Sequence, residues 1–183
     1  MSKIEIITTL VTIVFGLMLA DLFTSLHKLI KARKIVKWHW LPVLNAWYLF
    51  ISILKNWWSL TSIKEYSLIK FLFYSHLLIL LFLAVSIVLP DKIQKNGINL
   101  KKYYFQHHRY YWGLMTAIIF LPMLYSIVLK LINSSPLDIT YIIIMMMIMS
   151  LNILLIISKR YWIHSVVLIF FTLMTFLDTI SVI

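Results

Sequence analysis

The sequence predicts an all-α protein: a polytopic transmembrane helical bundle of six spans with both termini extracytoplasmic. Three observations carry that expectation. The 183 residues are 62% hydrophobic and only 13% charged, where a soluble domain carries about a quarter charged residues. The apolar residues gather into six runs of the length, about 20 residues, that a helix needs to cross a hydrocarbon core of about 30 Å. Lys and Arg then concentrate in every second connection between those runs, which is the asymmetry that orients membrane proteins.

Taken in order, the runs are 4–30, 40–60, 68–89, 112–132, 139–158 and 163–183, forming a single transmembrane domain over residues 1–183. The first has one Lys before it and no small-residue cleavage site, and it exceeds the usual h-region of roughly 7–15 residues, so it reads as a retained span rather than a signal peptide. Strands alternating apolar and polar residues, the signature of an outer-membrane barrel, are absent from the sequence. Twelve cationic residues follow the odd spans: Lys28, Lys31, Arg33, Lys34 and Lys37; Lys92, Lys95, Lys101, Lys102 and Arg109; Lys159 and Arg160. The opposite side holds five, Lys3, Lys55, Lys64, Lys70 and Lys130. The odd connections are therefore expected in the cytoplasm. Aromatic residues mark both interfaces: Trp38, Trp40, Tyr110, Tyr111, Trp112, Tyr161 and Trp162 on the inner side, and Trp57, Trp58, Tyr66 and Tyr141 on the outer.

The segment 98–111, containing "INLKKYYFQHHRYYW", reads as a short amphipathic helix lying on the cytoplasmic leaflet. Leu100, Tyr104, His107 and Tyr111 share one face, and Lys102, Gln106 and Arg109 another. Lys101, Lys102, His108 and Arg109 are its candidate contacts to anionic headgroups. Adjacent histidines point to different helix faces, so His107 and His108 make a poor metal pair.

Polar residues inside spans are costly, at least ~2.5–3.5 kcal/mol for a central Asp, and must face protein or water. Asp21 lies nine residues before Ile30, about 14 Å from the inner end. It shares a face with Val14, Leu17, Thr24, Ser25 and Lys28, while Thr12, Gly16 and Ala20 form a small-residue stripe roughly opposite. Span one is therefore expected inside the bundle. Asn45, Tyr48 and Asn152 fall near the depth of Asp21, and with His76 they complete a candidate ion or proton path. Lys55 and Asp178 each lie fifteen residues into outward-running spans, so their depths match and they are the candidate ion pair. Pro122 removes a helical hydrogen bond in span four and marks a candidate kink. The same polar groups also read as interhelical hydrogen bonds worth about 0.6–2 kcal/mol each.

The succession "GLMLADLFTSLHKLIKARKIVKWHWLPVLNAWYLF", "NWW", "VLPD" and "YYFQHHRYYWGL" resembles a group of small six-span bacterial integral membrane proteins. The resemblance covers most of the chain. It implies a six-span fold in a bacterial inner membrane and brings no activity and no functional residue with it.

Several function classes are excluded. The chain has no cysteine, so thiolate chemistry and disulfides are out. The net charge of +11 sits in short connections between spans, which argues for anionic lipid and against nucleic acid. No potassium-filter sequence, arginine-rich voltage sensor, zinc-protease motif, nucleophile elbow or phosphate-binding glycine loop occurs. No cofactor or metal is expected; haem ligation by His27 and His76 would require ligands from different depths. The expected function is that of a small channel or transporter for protons or cations using Asp21. The alternative is a non-catalytic membrane subunit, sensor or scaffold whose basic loops contact anionic lipid or a partner, with a homo-oligomer open to either. An enzymatic role, lipid-directed through His107, His108 and Arg109, is the weaker expectation.

Overall fold

A computed structural model describes residues 3–59 and 67–181. Leu60, Lys64 and Tyr66 lie outside them, as do the side chains of Lys3 and Thr179 and the last two residues of the sixth predicted span. The described chain forms helices α1 (Lys3–Lys31), α2 (Trp40–Ser59), α3 (Leu68–Val88), α4 (Leu100–Ile132), α5 (Ile139–Ile157) and α6 (Tyr161–Ser181). Two short strands, β1 (Val36–Lys37) and β2 (Ile98–Asn99), pair in parallel between the α1–α2 and α3–α4 connections. Short polar side chains cap three helices. Ser67 accepts from the Lys70 amide, Asn99 from the Lys102 amide and Asp138 from the Tyr141 amide.

Five of the six helices, all but α2, are long and apolar enough to cross a membrane. Between 11% and 22% of the residues in each of these stretches are buried. The remaining faces present Leu68, Ile132, Ile143 and Ile157 outward, each more than half exposed, a surface that only an apolar solvent tolerates over such an area. Helix α2 is 20 residues long, but Asn45, Tyr48, Ser52, Lys55 and Asn56 lower its hydropathy. Most of these polar groups turn toward α6 or cap their own helix backbone, so composition understates how well α2 suits an apolar setting.

The helices alternate in direction. The N-termini of α2, α4 and α6 meet: Trp40 Nε1 donates to the Tyr161 hydroxyl at 2.5 Å, and Lys101 sits 4.8 Å above the Tyr161 ring. The C-termini of α1 and α3 arrive at the same end, where Ser25 Oγ donates to Asp91 at 2.7 Å. Helix α4 packs against α3, α5 and α2, and α2 packs against α6, α1, α3 and α4. These two helices are the centre of the bundle.

Three expectations are corrected here. Helix α1 packs on α2 and α3 at the side of the bundle rather than inside it. Its buried face is Val11, Phe15, Met18, Leu22, Ser25 and Leu29, a continuous stripe of large side chains that fills the groove with van der Waals contact. Thr12, Gly16 and Ala20 are exposed, Thr12 accepting from Trp57 Nε1 of α2 at 3.3 Å, and a Cβ at Gly16 would meet nothing within 4 Å. Segment 98–111 is not a separate surface helix. Helix α4 runs unbroken for 33 residues, through Pro122, or about 50 Å. That is longer than the roughly 20 residues one crossing needs, and its first turns are held by the strand pairing and by the Tyr103 hydroxyl, which donates to the Ile87 carbonyl at 3.0 Å with the Leu89 carbonyl 3.3 Å away. Tyr111 and Trp112 do not join an aromatic belt: both are buried, because α4 rather than α1 occupies the centre.

Gly97 sets the strand pairing. It adopts φ +83, and a Cβ there would lie 2.1 Å from the Ile35 carbonyl oxygen. Gly97→Ala is expected to destabilise the protein by about 1–3 kcal/mol through strain and backbone displacement. Gly113, whose Cβ would meet nothing within 4 Å, is expected to gain about 0.5–1 kcal/mol as Ala because helical glycine is entropically costly. Unfolding midpoints of the two variants in detergent check the opposite signs.

Candidate functional site

Polar groups collect where α2, α4 and α6 face one another. Helix α4 contributes Tyr104, His108, Tyr111 and Trp112, spaced to lie on one face with Leu100 and Met115, and all are buried. Helix α6 contributes His164, fully buried in its first turn, and Phe171 two turns further on. Helix α2 contributes Asn45 and Tyr48.

His164 is the hub. Its Nε2 lies 2.9 Å from the carbonyl of Ser158, the residue that ends α5. A carbonyl only accepts, so Nε2 carries the proton. Nδ1 of the neutral ring is then the acceptor, and the Tyr104 hydroxyl donates to it at 2.9 Å. The Tyr104 oxygen in turn accepts from Trp112 Nε1 at 3.0 Å. The result is a directed line, Trp112 to Tyr104 to His164 to Ser158, across three helices. It closes the short α5–α6 turn by satisfying a carbonyl that α5 leaves free at its end.

His108 stands beside this line, its ring centroid 5.4 Å from that of His164 and nearly perpendicular. Its Nδ1 lies 2.7 Å from the Phe105 carbonyl and therefore carries the proton. Its Nε2 is buried, an acceptor without a well-formed hydrogen bond, although the Ser158 carbonyl lies against this ring as well. The Tyr111 hydroxyl and Asn45 Oδ1 are likewise buried without a partner. Phe105, Tyr104 and His108 surround the His164 ring edge-on, which accounts for α4 and α6 meeting through aromatic side chains rather than by close backbone approach.

From there the polar groups continue away from the basic end. Tyr111 lies in electrostatic range of Tyr104 and Tyr48. Tyr48 stacks on Phe171, with ring centroids 6.4 Å apart, and engages the side chains of Ser52 and Thr175. Beyond these, Lys55 of α2 and Asp178 of α6 form an ion pair. His164 to Asp178 spans fourteen residues of α6, or about 21 Å.

The other predicted site residues fall elsewhere. Asp21 stands at the edge of α1's buried face, near Asp91 and Lys28, apart from the α4–α6 aromatic layer. Asn152 is buried and donates to its own Ile148 carbonyl on α5, which packs on α4 and α6. His76 faces outward from α3 and bonds its own Leu72 carbonyl at 2.7 Å. Asp21, Asn45, Tyr48, His76 and Asn152 thus do not form one layer. Of the headgroup candidates, Lys101, Lys102 and Arg109 are exposed, whereas His108 is 2% exposed and is corrected to an interior residue. Its neighbour His107 is the half-exposed member of the pair, its ring tilted against Tyr103 with centroids 4.3 Å apart. The residue the sequence reading passed over is His164. Its signal was a lone imidazole in the first turn of a span, just after a connection too short to bury its own carbonyls. No group of three or more metal-ligating side chains occurs among the described residues.

Comparison with protein-family models, curated proteins and solved structures finds no match, so the site is read from its own chemistry.

Tyr104→Phe removes the hydroxyl and leaves both the Trp112 N–H and His164 Nδ1 unpaired in a buried site. The expected cost is about 1–3 kcal/mol, above the average of ~0.6 kcal/mol for single interhelical bonds in membranes. A double-mutant cycle of Tyr104→Phe with His164→Leu, measured by reversible unfolding in mixed micelles, is expected to show coupling; strict additivity would refute the bond.

Proposed function

We propose that this chain is a multi-pass integral membrane protein of six crossings that moves protons along the seam between α2, α4 and α6. The observation that carries the reading is the directed hydrogen-bond line through Tyr104 and His164, with the His108 imidazole beside it. The His164 imidazole becomes imidazolium by taking a proton at Nδ1 and returns to neutral by losing its Nε2 proton to solvent at the basic end, with the Ser158 carbonyl orienting that N–H rather than taking the proton. Hydroxyls and imidazoles pass protons but make a poor cage for a metal cation, since the seam's sole carboxylate among the described residues, Asp178, is paired with Lys55 at its far end. Asp21, expected from the sequence as the central acid, sits outside the seam.

Six crossings are supported by the alternating helix directions and by the polar side chains of α2 that turn toward α6. The basic end is the cytoplasmic end, which places both termini outside and the protein in a cell membrane, the inner membrane for a bacterium. The exposed Lys101, Lys102 and Arg109 then lie beside anionic headgroups.

In proteoliposomes carrying an internal pH dye, an imposed potential is expected to drive proton entry. Tyr104→Phe and His164→Leu should reduce it to the level of protein-free vesicles, and Asp21→Asn should leave it unchanged. Transport absent from the wild type, or untouched by Tyr104→Phe, refutes the reading. Because the chain has no cysteine, single cysteines report sidedness. An impermeant maleimide should label Ser135→Cys in intact spheroplasts and Lys95→Cys only after lysis; the reverse pattern overturns the orientation.

A further inference from the structure

A feature of the basic end that the seam does not use is a polar cavity of about 680 Å³ between the α1–α2 and α3–α4 connections. We propose that it binds a phosphate-bearing anion.

The lining is cationic. Lys37 enters from β1, Lys92 from the loop after α3, and Lys102 from the first turn of α4. None of the three pairs with a carboxylate among the described residues. The side-chain amides of Gln94, Asn96 and Gln106 add uncharged donors. Asp91 is the only carboxylate in the wall, and Ser25 of α1 holds one of its oxygens at 2.7 Å. The lining therefore keeps a net positive charge, and lysines on flexible stems close on phosphate as point charges. The N-terminus of the 33-residue α4 opens into the same space, and its amide dipoles add to the positive potential.

The cavity walls are fixed by packing. Gly97 brings its loop so close to Ile35 that a Cβ would collide with the backbone, and the Ile98 amide donates to the Ile35 carbonyl at 3.3 Å. The volume falls within the range of about 300–1,000 Å³ typical of small-ligand sites. Its place, just past the end of α3 and beside the protruding first turns of α4, is the depth of lipid phosphates if the basic end faces a leaflet. The phosphate has two possible sources: a lipid headgroup or a free phosphate compound.

The test uses the full-length protein in nanodiscs, with the unfolding midpoint as readout. In phosphatidylcholine discs, inorganic phosphate and glycerol 3-phosphate are titrated. In a second arm, discs with and without phosphatidylglycerol are compared. A midpoint that rises with added phosphate identifies a free ligand, and one that rises only with phosphatidylglycerol identifies a headgroup. In either arm, Lys92→Gln should weaken the effect about tenfold, and the combined Lys37, Lys92 and Lys102 to Gln variant should abolish it. A control variant with Gln at Lys34, Lys95 and Arg109, which do not line the cavity, should retain it. Lys92 lies on an exposed loop, so its variant folds even if the triple variant does not. No shift in either arm, a shift unchanged by Lys92→Gln, or an equal loss in the control overturns the proposal. Proton flux is a separate measurement, so failure here leaves the seam reading standing.

Discussion

Lipid offers no hydrogen-bond partner, and that constraint organises this molecule. Every polar group in a span must be met by another part of the chain or by its own helix backbone. The structure uses both solutions. Ser52, Ser75, His76, Thr116, Ser150, Asn152 and Thr172 bond carbonyls one turn back and need no neighbour. Tyr104 of α4 and His164 of α6 bond across helices, with Trp112 bracing Tyr104 from the same helix, and Trp57 of α2 donates to Thr12 of α1; bonds of this kind determine which helices must be adjacent. Because apolar packing in a membrane lacks a hydrophobic drive between helices, a few cross-helix hydrogen bonds carry much of the specificity.

The same groups give the seam its chemistry. A tyrosine between an indole and an imidazole is fixed in orientation, and an imidazole between a hydroxyl and a carbonyl is fixed in tautomer. His108 turns its Nδ1 to the Phe105 carbonyl, which assigns it the opposite tautomer, and its Nε2 lies buried near the Ser158 carbonyl without a well-formed bond. Two neutral imidazoles of opposite tautomer, with ring centroids 5.4 Å apart, form a structural clamp between α4 and α6. The aromatic rings around them exclude solvent and strengthen each bond in the pair. At the other end, Lys55 and Asp178 bring α2 and α6 together where Tyr48 and Thr175 end their own contact.

The helices and their alternation were legible because apolar run length and charge bias are one-dimensional signals. The Lys55–Asp178 pair was legible too, because equal depth on two spans running the same way is a strong geometric restriction. The choice between His107 and His108 was not. Successive residues differ by 100°, and assigning the face required knowing that α4 continues past Trp112 as one helix. The central place given to α1 failed because small residues permit close approach without compelling it, and large side chains filled the opposite groove instead. Asp21, Asn45, Tyr48 and Asn152 are grouped by expected depth, but depth alone says nothing about azimuth. The loop pairing through Gly97 left no trace in hydropathy, since it depends on one backbone dihedral.

The claim on which the rest stands is that His164 and His108 are neutral and hold opposite tautomers inside the seam. Solid-state ¹⁵N NMR of histidine-labelled protein in bilayers reads this directly, with His108→Gln assigning the signals. The account predicts His164 protonated at Nε2 with a hydrogen-bonded, unprotonated Nδ1, and His108 protonated at Nδ1. A His164 protonated at Nδ1 alone, or two rings exchanging freely with water, would contradict it.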